Sequence, residues 1–112
     1  MKRIYHPGGS IVTGSDLADA VMLYAEALSN RRETDVVDIP VIAADGAHGR
    51  AQFLIGSSSQ LVSVTSADGE SELTETATTQ ALHDKVRAGS VSAPVAWTGA
   101  ALGSPQFDEF DY

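Results

Sequence analysis

Few residues in this chain have the type and spacing that chemistry needs. The three histidines are His6, His48 and His83. His6 stands beside a turn and His48 inside one, while His83 falls on a helical stretch next to Asp84. No two are at metal-ligand spacing, so they read as solvated surface histidines. Cysteine is absent, which removes disulfides, thiolate nucleophiles and cysteine-based zinc sites together. "GSSSQ" at 56–60 places three serines after a strand. It is not the G-x-S-x-G elbow, and no helix pattern follows to supply an oxyanion hole, so it reads as a serine-rich turn.

"HPGGSIVTGSD" is rich in glycine and leads into a helix, the setting of a phosphate cradle. Neither a Walker lysine nor G-x-G-x-x-G is present, and Asp16 and Asp19 would repel a phosphate there; a turn followed by a helix cap is the simpler reading. The acids are scattered. Asp35 and Asp38 alternate with apolar residues on a strand and are expected to face solvent. Glu70, Glu72 and Glu75 crowd the expected start of a second helix, where carboxylates suit the positive end of the dipole. The calcium-loop pattern is missing. No catalytic residue, metal ligand or cofactor is therefore expected.

The other chemistry-bearing stretch is the ending, "SPQFDEFDY" at 104–112. Phe107, Phe110 and Tyr112 alternate with Asp108, Glu109 and Asp111. Acids keep such a segment soluble, and the aromatics supply contact area when it docks. With Trp97, these seven residues are the candidate partner-binding set. The ending is similar in kind to the aromatic-tipped acidic tails by which bacterial single-stranded-DNA-binding proteins recruit partners. The resemblance covers "FDEFDY" alone and carries neither fold nor partner. Packing on its own domain, docking on a second copy, and an end without function are the competing expectations.

These groups must be positioned by a small set of elements. "RIYH", the turn at Pro7–Gly9 and "SIVT" read as a hairpin over residues 2–13. In "VTGSDL", Thr13 is the expected N-cap, with Asp16 at N3 and Val12 and Leu17 forming a hydrophobic staple. Leu17, Val21, Tyr24 and Leu28 form one helical face, with Asn30 as C-cap and Arg31 and Arg32 beside the last carbonyls. In "TDVVDIPVIA", Val37, Ile39 and Val41 share a face, and Pro40 marks an edge strand or a bulge. "RAQFLIG" and "QLVSVTS" follow, so residues 34–66 read as a three-strand antiparallel meander. A second helix is expected from Ser71 to Gly89, although Leu73 and Leu82 lie on nearly opposite sides of its wheel. The expected class is α+β: an antiparallel sheet of three to five strands with two helices on one face, in the order (ββ)αβββα. Residues 1–89 make a single domain in this reading, and 90–112 an extended tail rich in Gly, Ser, Ala and Pro.

The chain has 112 residues and a net charge of -8. Residues 1–32 carry four bases against three acids, a net +1; the remainder carries three bases against twelve acids, a net -9. Such an acidic surface disfavours nucleic acid and anionic lipid. No apolar run approaches a membrane span, and none follows the N-terminal bases as in a signal peptide, so a soluble cytoplasmic protein is expected. The preference for Arg over Lys, with abundant Ala, Gly, Val and Asp, suits a GC-rich bacterial genome. The leading expectation is a small acidic non-enzymatic interaction module that binds a protein partner, or itself, through a sheet edge and its tail. The alternatives are a small enzyme or ligand-binding protein with a site near the 7–16 loop and first helix, and an acidic decoy of a nucleic-acid-binding partner.

Overall fold

A computed structural model describes residues 1–66 and 71–96, with 89–96 described by their backbone alone. The elements are β1 (Lys2–His6), β2 (Gly9–Thr13), α1 (Ser15–Arg31), β3 (Thr34–Ile42), β4 (His48–Gly56), β5 (Val62–Thr65) and α2 (Thr76–Ala96). The order is the expected ββαβββα, and the class is α+β.

The five strands form one antiparallel sheet in the order β4-β3-β2-β1-β5. β1 and β2 make the expected hairpin, from Lys2↔Thr13 to His6↔Gly9. β3 and β4 pair along their full length, from Thr34↔Gly56 to Ile42↔His48. The meander then breaks: β5 leaves β4 and pairs with β1 at the opposite edge, Lys2↔Thr65 to Tyr5↔Val62. Local alternation identifies a strand but holds no information about which ladder it joins.

β2 meets β3 at a single register pair, Val12↔Ile42. Pro40 lies just beyond it, inside the sheet order rather than at an outer edge. Its carbonyl accepts a hydrogen bond from Thr13 Oγ1 at 2.7 Å. A strand residue aims its N and O the same way, so the missing N–H of Pro40 also faces β2, where the ladder has stopped. No ladder bond is lost. The imidazole of His6 stacks on Phe53 with centroids 5.9 Å apart. Two strands stand between β1 and β4, which at about 4.8 Å per strand would hold these rings well apart on a flat sheet; the sheet is curled around its helices.

The predicted face of α1 is the one buried. Leu17, Val21, Tyr24 and Leu28 point inward with Ala18 and Ala20, against Ile4, Val37, Ile39 and Ile55. Leu82 of α2 joins the same core, so both helices lie on one side. They run in the same direction: Asp16 borders the hollow lined by Thr76, Thr79 and His83, and Lys85 lies over the Tyr24 ring.

The helix ends differ from expectation. The N-cap of α1 is Gly14, without a side-chain cap bond, because the Thr13 hydroxyl is fully buried and taken by Pro40. Asp16 is accordingly at N2. The C-cap is Arg32 rather than Asn30, in the left-handed region at φ 57. α2 starts at Thr76, not Ser71, because the preceding residues are engaged elsewhere. Glu72 bonds the start of α1, and the Leu73 N–H meets Met1 Sδ at 3.3 Å. It also runs past Gly89 to Ala96; glycine weakens a helix by about 1 kcal/mol but does not by itself end one. No helix among the described residues is long and apolar enough to cross a membrane.

Candidate interaction surface

The residues singled out in the sequence are dispersed. Trp97, Phe107, Asp108, Glu109, Phe110, Asp111 and Tyr112 lie outside the described residues. His6 stacks on Phe53, His48 ends β4, and His83 sits on α2. Among the described residues, no group of three His, Asp or Glu side chains is placed to hold a metal ion.

Asp38 is exposed as expected and Asp35 half-buried, and both are also bonded. Asp35 accepts from Tyr24 Oη at 2.5 Å and from Lys85 Nζ at 3.4 Å, tying β3 to both helices. Burial, reinforced by this bond, pushes the Tyr24 hydroxyl up to about 12, so it stays protonated and is no nucleophile near neutrality. The same bond holds Asp35 below the usual carboxylate range. Arg50 Nε donates to Asp38 at 2.7 Å, and its terminal nitrogens donate to Glu75 at 2.9 and 3.1 Å. Every charged group in these clusters is matched, as in a structural clamp.

The start of α1 is also filled. Glu72 accepts from the Ser15 N–H at 2.9 Å, from Ser15 Oγ at 2.9 Å and from the Met1 ammonium at 2.7 Å. The ammonium first, then Ser15, lowers its carboxyl to about 2. The anion at this helix N-terminus is the chain's own carboxylate. Glu72 was expected to serve the second helix and instead caps the first. Gly14 makes this approach feasible: a Cβ there would stand 1.6 Å from the Leu73 carbonyl oxygen.

What remains open is the sheet face away from the helices. Cross-strand partners share a face, so Val64, Arg3, Val12, Ile42 and His48 form a row across all five strands. Val62, Tyr5 and Ser10 form the next row. Tyr5 is 47% exposed, Val62 56% and Val64 46%. Beside Arg3, between β2 and the end of β3, lies a hollow of ≈ 450 Å³ lined by Ser10, Val12, Ile42 and Ala44 among others.

β5 contributes to this face in an unusual way. Its valines point to solvent, while Ser63, paired with the fully buried Ile4, points toward the helices. The Ser63 hydroxyl is buried and has no hydrogen-bond partner among the described residues. Alternation in "VSVT" would turn valine inward, and a slip of one residue would do so. β5 is also an outer strand without Pro, Lys or Glu to blunt its free edge. The signal was present in the sequence as an amphipathic strand, but its outward orientation follows from the ladder with β1.

Comparison of the chain with protein-family models, with curated proteins and with solved structures gives no match.

Proposed function

We propose that this protein is a non-enzymatic interaction module that binds a protein partner through the β5 edge and the adjoining open sheet face. The acidic-aromatic residues Phe107, Asp108, Glu109, Phe110, Asp111 and Tyr112, with Trp97, serve as a second contact element. The observation that carries the reading is the orientation of β5: two exposed valines and a serine hydroxyl buried without a partner among the described residues. Departures from local consistency of this kind concentrate at functional sites. An apolar row beside an unprotected strand edge offers a partner both area and backbone hydrogen bonds. The matched charges elsewhere and the filled α1 terminus support binding over catalysis.

The test is a double charge substitution, Val62→Glu with Val64→Glu, in the full chain. The variant should keep the circular dichroism spectrum of the parent and lose a protein that the parent captures from its native cell. Leu23→Glu, exposed on α1 away from the sheet face, should retain that protein. Equal capture by all three chains would refute the reading.

A further inference from the structure

We propose that the open face is occupied within the same molecule by the chain's own C-terminal segment, residues 104–112, which a partner must displace. This rests on the reading of that face as a docking surface and names its resident occupant.

Charge is the first support. The chain carries fifteen acids for seven lysines and arginines. Lys2 pairs with Asp19, Arg31 with Glu33, Arg50 with Asp38 and Glu75, and Lys85 with Asp35. Arg3 and Arg32 pair with no carboxylate among the described residues, and Arg3 is the one on the open face, where its Nη1 donates to the Ser10 hydroxyl at 3.1 Å. A guanidinium flanked by Tyr5 and two exposed valines is matched by a segment in which carboxylates alternate with aromatic rings. "FDEFDY" is the stretch of this chain with that composition.

Position is the second. α2 runs beside α1 in the same direction, with Lys85 over Tyr24. From that contact α1 continues for about 10 Å to Arg31 and α2 for about 16 Å to Ala96. Both helices therefore finish at the same end of the molecule. Ser29, near the end of α1, donates to the Gly56 carbonyl and shares a hollow with Leu61, the residue before β5. β5 therefore begins at the end of the molecule where both helices finish. Seven residues, 97–103, reach up to about 23 Å when extended. A segment that rounds the β5 edge from that end meets Val62 and Tyr5 first and Val64 and Arg3 next.

The absence of native cysteine allows a direct test in the full chain. Ser104→Cys carries a nitroxide outside the acidic-aromatic stretch, and amide line broadening is read by NMR. One sample holds isotope-labelled, spin-labelled chain diluted in unlabelled chain; a second mixes isotope-labelled chain with spin-labelled chain that is not isotope-labelled. Broadening at Arg3–Tyr5 and Val62–Thr65 in the first sample, relieved by Arg3→Glu, is the expected result. Broadening that appears only in the second assigns the face to a second copy and overturns the proposal. Broadening centred elsewhere, or none, also overturns it, and broadening unchanged by Arg3→Glu overturns the charge pairing. Failure of this experiment leaves the interaction reading to its own test, since capture sensitive to Val62→Glu with Val64→Glu does not require an internal occupant.

Discussion

The two ends of β1 contrast sharply. At its start, Met1, Gly14, Ser15, Glu72 and Leu73 converge from distant parts of the chain. Carbonyl, carboxylate, ammonium and amide are packed so closely that a single methyl at Gly14 has no space. Toward its other end, Tyr5 and Val62 are exposed, and the Ser63 hydroxyl beneath them has no partner among the described residues. The first region satisfies every polar group it buries, which is what a structural junction requires. The second leaves apolar surface bare and a polar atom unmatched, which makes sense for a surface that is completed by something else. On the proposed reading, stability and binding are separated along one strand.

Gly14→Ala should have the largest effect, because it attacks the junction directly. Its Cβ would overlap the Leu73 carbonyl, and overpacking of this kind costs about 1–3 kcal/mol or more. Urea denaturation should show the loss; a variant as stable as the parent would mean that residues 71–75 do not cross the start of α1.

Thr13→Val comes next. It removes the hydroxyl that serves the Pro40 carbonyl, so about 1 kcal/mol should be lost. Helical content should be unchanged, since this hydroxyl does not cap α1. A fraying of α1 in the variant, read from amide exchange at Asp16–Ala18, would restore the N-cap role expected from the sequence.

Acid sharpens the comparison further. The folded Glu72 carboxyl titrates near 2 against an ordinary value of 4.5. Its contribution is therefore complete above about 4.5 and is lost as pH falls toward 2. Asp35, Asp38 and Glu75 are lowered as well and act with the same sign. Stability measured from pH 5 to pH 2 should fall with a shallower slope in Glu72→Gln than in the parent. Identical slopes would remove Glu72 from the junction.

The class, the element order, the first hairpin and the buried face of α1 were legible because each is written in local periodicity. Leu17, Val21, Tyr24 and Leu28 repeat at helical spacing, and "PGG" marks its turn without reference to the rest of the chain. The partner of β5 was not legible, since "VSVT" fits beside β4 or β1 equally well until the sheet is assembled. Nor was the role of Glu72, which lies 57 residues from the amide it caps. Thr13 departs from its local signal for a related reason. Its local context is that of an N-cap, but a proline 27 residues later leaves a carbonyl that competes for the hydroxyl and wins. Of the proposed binding surface, the amphipathic character of β5 could be read from sequence, whereas the direction in which its valines face could not.

That direction is what the interaction reading depends on, and single cysteines in this cysteine-free chain report it. Val62→Cys, Ser63→Cys, Val64→Cys and Thr65→Cys would each be made in the full chain and their thiol modification rates measured under native conditions. With Arg3→Glu also present, so that residues 104–112 do not cover the face, cysteine at 62 and 64 should react readily and at 63 slowly, because positions 62 and 64 face away from the helices and 63 faces them beside Ile4. The reverse pattern, with 63 fast and 62 and 64 slow, would place the valines in the core and contradict the open apolar face.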